Sequence, residues 1–472
     1  MTTSMPFPVP DSRRVRAALD QVDGKAVVVV GAGKSGVAAA RLLATRGARV
    51  CIVDDKPQAA LAETADSLQA LGIAVHGGGF AALDLTAAQF AVVSPGVPLV
   101  RPELRQALDA GALLVSEIDV ALHRLGLPVV AITGTNGKST TTTLVGSLLE
   151  AGGRKPFVGG NLGEPLCLAA MAPGTWHSAV IELSSYQLEL ASLLEPQVAV
   201  ITNLAPDHLD RYPDVGSYYA AKHQVFANLP ADGVVVARER ELHDGTLRVP
   251  ASARLLRYGA TIDGDGAAIS AQRIQVTLQG ISHTFDISNP RIRGAHNREN
   301  LAAAVLAALA FGLEAPAIRE GIRLYAGIRH RLEDVASVDG VLYVNDSKGT
   351  NVDATVKAVE AFEQPLLLIA GGRDKGTGYA DLAQAARGRV RVLLTIGEAG
   401  PAIAEALRGM VDEVVDAGTL GQALEQARTR ARQDEVVLLS PACASFDQFK
   451  NFEERGSRFV ELVQAMARGS AS

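Results

Sequence analysis

The chain has only three cysteines in 472 residues, and Cys51, Cys167 and Cys443 stand far apart with no metal-ligand spacing. Cysteine chemistry is therefore not what this chain is built on, and a reducing, cytoplasmic compartment is expected. Positive charge is not in excess either. Lys and Arg number 45 against 51 Asp and Glu, a net charge of −6, which leaves no general basic footprint for nucleic acid. No uninterrupted apolar run is long enough to span a bilayer, so no membrane partner is expected. The first twenty residues are polar, proline-containing and charged, without the apolar core of a secretory signal. Short-period repeats and low-complexity segments are also missing. What remains, 48% hydrophobic and 20% charged residues, fits ordinary globular domains, and the length suggests about three of them.

One stretch carries the most chemistry: Val129-Val-Ala-Ile-Thr-Gly-Thr-Asn-Gly-Lys-Ser-Thr-Thr-Thr-Thr143. A short apolar β-type run leads into a turn at Gly134, Thr135, Asn136 and Gly137. An apolar helical run follows Lys138, Ser139 and Thr140. Strand, glycine turn and helix are the build of a phosphate-binding loop. Its glycines let backbone N–H groups face an anion, and the helix N-terminus adds partial positive charge. Lys138 can reach outer phosphates, and Ser139 or Thr140 can hold Mg2+. The usual pattern places a glycine where Ile132 stands, so the loop is a shortened variant.

Upstream, the valine run 26–30 precedes Gly31-Ala-Gly33-Lys-Ser-Gly36 and a helical segment. A second strand, 50–53, ends at Asp54 and Asp55. This βαβ unit with an acid at the second strand's end is a dinucleotide-type fingerprint, which a dehydrogenase would use for NAD. A third strand, 90–93, ends in Ser94-Pro-Gly-Val-Pro98, at the kind of strand end where open α/β sheets bind ligands.

Beyond the phosphate loop, Gly159-Gly-Asn161-Leu-Gly163 is a turn able to bring Asn161 to a ligand. Strand 178–181 ends in Glu182, well placed to hold Mg2+. Strand 198–203 leads to Asp207-His208-Leu-Asp-Arg211-Tyr-Pro213, where His208 is a metal ligand or an orienting donor. Lys222 lies in a helical segment, and with nothing else to mark it a lysine there is expected on a solvated face. Residues 234–288 are short β segments with polar turns. Asn297 and Asn300, three apart near the start of an alanine-rich helix, share a face suited to an adenine edge or ribose, or to capping. In the last third, strand ends bring Asp346, Lys348, Lys375 and Ser445 to one sheet edge, after a basic cluster at Arg329-His330-Arg331. Strand–helix alternation throughout predicts an α/β protein of three domains. The first, residues 1–116, is Rossmann-like. The second, 117–326, is a central P-loop ATPase-type domain. The third, 327–472, is again Rossmann-like.

Taken together, Thr133-Gly-Thr-Asn-Gly-Lys-Ser-Thr, Glu182-Leu-Ser-Ser, Asp207-His208, His296-Asn297-x-x-Asn300, His330-Arg331 and Asn345-Asp-Ser-Lys resemble the Mur ligase family, ATP-dependent amide ligases of peptidoglycan precursor synthesis. The match runs from Lys25 to about Val463. Ser440-Pro-Ala-Cys-Ala-Ser-Phe-Asp-Gln-Phe-Lys-Asn-Phe resembles the members that add D-glutamate to UDP-N-acetylmuramoyl-L-alanine.

The resemblance implies roles position by position. Gly31, Ala32, Gly33, Lys34 and Ser35 would hold the UDP portion, with Asp54 and Asp55 near the uracil and Asn161 on the muramoyl substrate. Gly134, Thr135, Asn136, Gly137, Lys138, Ser139 and Thr140 would bind ATP phosphates. Ser139 or Thr140 with Glu182 would hold a first Mg2+, and His208 a second. Lys222 matches a lysine that carries a carbamate in this family, which reverses the expectation from its local pattern. Asn297 and Asn300 would meet the adenine side, and Arg331 and Asp346 the phosphates and ribose. Lys348, Thr350, Lys375, Ser445, Phe446 and Phe452 would receive D-glutamate. The attacking amine must be neutral, so a base is required, and His208 and Asp346 are both candidates. The implied substrates are small molecules and the chain is expected to act as a monomer, with closure of its third domain on ATP about a hinge near Gly327.

Overall fold

The computed structural model describes residues 9–470 except 80–84, 210, 288, 375 and 377. Runs of Val, Ile and Leu that are apolar on both faces become the fully buried central parallel strands, as parallel sheets covered on both faces require. Three sheets result.

The first contains β1 (Ala26–Val30), β2 (Arg49–Val53), β3 (Ala74–His76), β4 (Phe90–Val93) and β5 (Leu114–Val115) in the order β3-β2-β1-β4-β5, all parallel. The order reverses between β1 and β4. The crevice outside the carboxyl ends of those two strands is where such sheets bind ligands.

The second is larger. It contains β6 (Val129–Thr133), β7 (Pro156–Gly160), β8 (Ser178–Glu182), β9 (Val198–Ile201), β10 (Val234–Arg238), β11 (Arg254–Gly259), β12 (Gly266–Ile269), β13 (Arg273–Leu278) and β14 (Ile281–Asp286). Their order is β14-β13-β12-β11-β10-β9-β6-β8-β7. The β segments expected over 234–288 therefore extend one sheet, in which β13 alone runs opposite to the other strands. The phosphate-loop strand β6 lies between β9 and β8, so Thr202 and Glu182 flank the loop that follows it.

The third contains β15 (Glu333–Val338), β16 (Val341–Asn345), β17 (Leu366–Gly371), β18 (Val390–Ile396), β19 (Glu413–Gly418) and β20 (Val436–Leu439) in the order β15-β16-β20-β17-β18-β19. It is parallel except for the β15/β16 pair.

The chain forms two compact units. One holds residues up to 287 together with 299–324, and the other holds 288–298 and 325 onward. The first and second sheets belong to the same unit because they share a continuous apolar core, from Val15 and Val27 through Val129 and Ile181 to Leu247. Helices Lys34–Ala44, Glu117–Leu125 and Leu166–Ala170 pack together within it. Two buried carboxylates tie the middle helix in place. Glu117 accepts from the Cys167 N–H at 2.7 Å, and Asp119 accepts from Ser192 N–H, Ser192 Oγ–H and Leu193 N–H. Burial pushes Glu117 up to about 7 and Asp119 up to about 6.

Candidate active site

In the first unit, the phosphate loop is held from below by β9. Gly134 (φ +140°) passes so close to Thr202 that a Cβ there would lie 2.0 Å from its Oγ1. Thr202 Oγ1–H and Asn203 Nδ2–H both donate to Asn136 O, at 2.6 and 3.0 Å. Asn136 N–H returns a bond to Asn203 Oδ1 at 2.9 Å. Thr135 Oγ1–H donates to Ala205 O at 3.1 Å. Gly137 (φ +83°) starts helix Lys138–Ala151, and a Cβ there would lie 2.2 Å from Asn300 Oδ1. A side chain at either glycine would push the loop off its supports. Lys138 Nζ folds back to Thr135 O at 2.8 Å, and Ser139 and Thr140 occupy the first turn.

Glu182, at the end of β8, is 2% exposed. Its Oε1 accepts from Asn161 Nδ2–H at 2.7 Å, while Oε2 is buried with no hydrogen-bond partner among the described residues. A buried carboxylate oxygen without a donor is unstable unless a cation or donor meets it. No group of three or more His, Cys, Asp or Glu side chains among the described residues forms a cage for a metal. Mg2+ commonly takes one or two protein oxygens and leaves the rest to water and phosphate, and the orphaned Glu182 Oε2 is an oxygen of that kind.

Lys222 does not follow the usual exposure of a helical lysine. Helix Val215–His223 is packed on both sides, and Lys222 is 1% exposed. Its Nζ donates to Gly134 O at 2.7 Å and lies 4.6 Å from the Tyr218 ring centroid. Burial, then the nearby Lys138 cation, holds its amine well below the ordinary lysine range, with Asp207 and Glu182 opposing. His208 (φ +54°) shares a 2.8 Å hydrogen bond through Nδ1 with Tyr186 OH, and its ring packs against Tyr186 and Tyr218.

A cavity of about 460 Å3 opens at the β1/β4 crevice. Gly31, Gly33, Lys34, Ser35, Asp54, Asp55 and Asn161 line it, as do loop residues 94–97 and Gln187. The Ala32 side is different: its N–H is held by Asp54 Oδ2 at 2.7 Å, and Asp54 Oδ1 accepts from Lys56 N–H at 2.9 Å. Asp54 thus braces the glycine loop, and Asp55 pairs with Arg101. Lys56 and Gln187 on the cavity wall carry no signal in the sequence. The 94–97 wall was signalled only by its strand-end position.

In the second unit, Asp346 directly follows β16 and is fully buried. It accepts from Ser440 Oγ–H at 2.8 Å and Leu332 N–H at 3.2 Å, with Arg331 3.6 Å away. Burial raises its pKa, and the Arg331 charge opposes. A Cβ at Gly349 would lie 2.5 Å from Asp346 Oδ2, so the turn after β16 requires glycine. Lys348 N–H donates to His330 O and Thr350 N–H to Lys348 O. Ser445 is buried, Phe446 is 62% exposed, and Phe452 opens helix Phe452–Ser470 with its carbonyl accepting from Ser347 Oγ–H. Arg455, 1% exposed, is a residue the sequence did not single out. Its guanidinium donates to Ser347 Oγ, Ser347 O and Cys443 O, joining the two segments that carry Lys348 and Ser445. Lys375 lies outside the described residues. Helix Ala295–Ala310 crosses the division between the units after Arg298. Asn297 therefore belongs to the second unit, where its Nδ2–H donates to Arg293 O at 2.8 Å, and Asn300 belongs to the first, against Gly137.

Three family profiles match this chain in sequence order: the MurD-like N-terminal domain of Mur ligases over residues 25–116, the Mur ligase middle domain over 132–308, and the Mur ligase glutamate ligase domain over 330–443. The chain is 43% identical over 454 residues to a Myxococcus xanthus protein named UDP-N-acetylmuramoylalanine–D-glutamate ligase, covering 94% of this chain and 99% of that one. An Anaeromyxobacter dehalogenans protein of the same name is also 43% identical, with 96% and 100% covered. The fold is that of the Thermotoga maritima UDP-N-acetylmuramate-alanine ligase MurC (TM-score 0.57, 19% identity, 93% and 99% covered). It is also that of the T. maritima MurF ligase solved in complex with ADP (TM-score 0.59, 16% identity, 89% and 95% covered). The chain belongs to the Mur ligase family. It is an ATP-dependent ligase of peptidoglycan precursor synthesis. Among the described residues no helix is long and apolar enough to cross a membrane.

Proposed function

We propose that this ligase joins D-glutamate to the L-alanine carboxylate of UDP-N-acetylmuramoyl-L-alanine, with ATP cleaved to ADP and phosphate. The observation that carries this is the 43% identity to D-glutamate-adding ligases over nearly the whole of both chains. A carboxylate is a poor acyl donor. Transfer of the γ-phosphoryl group makes an acyl phosphate, the neutral amine of D-glutamate attacks its carbonyl carbon, and the tetrahedral intermediate expels phosphate.

The phosphate loop, braced by Thr202 and Asn203, presents its backbone N–H groups and Lys138 to the phosphates. The orphaned Glu182 Oε2 and the Ser139 or Thr140 hydroxyl are the oxygens that would hold Mg2+, with a second ion near His208. When bound, Mg2+ supplies positive charge against the transferring phosphoryl group. Lys222 is suited to carbamylation. Its lowered pKa leaves more of it as the free amine, which attacks CO2 to form an N-carboxylate and releases one proton. The product is an anion, so repulsion from Lys138 becomes attraction. The cavity at the first sheet suits the uridine nucleotide end of the substrate, with Asn161 linking its wall to Glu182. In the second unit, Asn297, Arg331 and Asp346 are assigned to the nucleotide, and Lys348, Thr350, Lys375, Ser445, Phe446 and Phe452 to D-glutamate. The proposed domain boundaries lie at 116/117 and 326/327, the proposed setting is the cytoplasm, and the proposed working form is a monomer.

The test is phosphate release from ATP and Mg2+ with UDP-N-acetylmuramoyl-L-alanine, with and without D-glutamate, for the parent and Lys222→Ala. Release that requires D-glutamate, and restoration of the variant by a short-chain carboxylate, are expected. Release indifferent to D-glutamate, or equally driven by L-lysine or diaminopimelate, would refute the assignment.

A further inference from the structure

Arg211 lies in none of the roles above, yet its side chain meets two carbonyls, a carboxylate and an aromatic ring. It is buried to a side-chain exposure of 10%. One terminal nitrogen donates to Pro95 O at 3.0 Å. The other donates to Glu189 Oε2 at 2.7 Å and to Val97 O at 3.4 Å. The guanidinium carbon Cζ lies over the Tyr186 ring, 4.0 Å from its centroid. Glu189 is itself fixed, since its Oε1 accepts from Tyr212 OH at 2.6 Å. Pro95, Gly96 and Val97 form one wall of the 460 Å3 cavity. Tyr186 is the residue that hydrogen-bonds His208, and it is next to Gln187 on another wall.

We propose that Arg211 is a positioning residue for the uridine-nucleotide side of the active site. It holds loop 94–97, which comes from the first sheet, in place as a cavity wall, and it fixes Tyr186 at the His208 end. This rests on the assignment of the cavity to the nucleotide substrate. Ser94 O accepts from Val97 N–H and Pro98 O from Arg101 N–H, while the carbonyls of Pro95 and Val97 are the ones that the Arg211 guanidinium meets. A fork donor anchored by a buried carboxylate reaches the two carbonyls from separate terminal nitrogens, a spread that the compact ammonium of a lysine does not reproduce.

Two variants test this. Arg211→Lys keeps a cation against Glu189. The double variant Arg211→Met, Glu189→Gln leaves no buried carboxylate unpaired, so a fold defect in one does not decide the matter. Hydrogen–deuterium exchange of peptides covering 94–101 and calorimetric titration with UDP and with ATP are read on both. Faster exchange confined to 94–101, about tenfold weaker UDP binding and unchanged ATP binding are expected. Unchanged exchange at the loop overturns the proposal, as does faster exchange with parental UDP affinity. Exchange that rises everywhere with both affinities falling together marks Arg211 as merely structural and also overturns it. A parent chain that does not bind UDP removes the cavity assignment itself, and this inference falls with it.

Discussion

Replacing Gly137 with alanine tests the phosphate loop at its tightest point. Gly137 sits at φ +83°, where an L side chain costs about 1–2 kcal/mol. The new methyl would lie 2.2 Å from Asn300 Oδ1, so the Asn300 side chain, 6% exposed, must leave its rotamer, at about 0.5–1.5 kcal/mol more. The first unit should lose about 2–3 kcal/mol, a fall in Tm of roughly 3–5 °C for a unit of this size. ATP affinity should fall at least about tenfold, because the N–H groups at the helix start turn away from the phosphates. Adding Asn300→Ala removes the overlap but not the dihedral strain. The double variant should regain about 1 kcal/mol of stability and none of the nucleotide affinity. Differential scanning calorimetry and ATP titration read the two effects separately. A Gly137→Ala chain that melts within about 1 °C of the parent and binds ATP equally well would refute the account of this loop.

Glu182→Gln places an amide N–H or a neutral oxygen where Oε2 now lies buried without a donor. It should weaken Mg2+ activation by about a hundredfold or more, visible as a shifted Mg2+ titration of ATP cleavage. Asp54→Asn leaves either Ala32 N–H or Lys56 N–H without an acceptor, at about 1–3 kcal/mol. UDP binding should weaken while ATP binding holds, and equal loss of both would count against the bracing role. Glu117→Gln changes the pH dependence of stability. Burial raises Glu117 from 4.5 to about 7, so the carboxyl favours the folded state when protonated. Its contribution is full below pH 4.5 and is lost as pH rises towards 7. The variant should flatten the decline in urea midpoint between pH 5 and 7. It should not abolish it, because Asp119, raised to about 6, titrates in the same window. Parallel curves for parent and variant would contradict this.

The phosphate loop was readable because it is local. Strand, glycines, lysine and helix start occupy fifteen consecutive residues, and the geometry follows from their order alone. The glycine fingerprint and Asp54 were readable for the same reason, although the acid turns its oxygens to the loop backbone at Ala32 and Lys56. Lys222 was not readable from its surroundings. Helix Val215–His223 has no polar face to contrast with an apolar one, so periodicity says nothing about which side is buried, and only family resemblance marked it. Arg211 and Arg455 were quoted in motifs or passed over, because an arginine's use depends on which carbonyls and carboxylates converge on it from distant segments.

By itself, then, the sequence determined the elements, the phosphate loop, the acid at the end of β8 and the family. Each of these is a short-range pattern of residue types. Tertiary structure alone decided that the first two sheets share one core and that Glu182 keeps an unpaired oxygen. It alone decided that Lys222 is buried against Gly134 and that Arg211 ties a loop of one sheet to the tyrosine beside His208 on another. Burial and long-range convergence depend on how separate segments pack, and no window of consecutive residues contains that information.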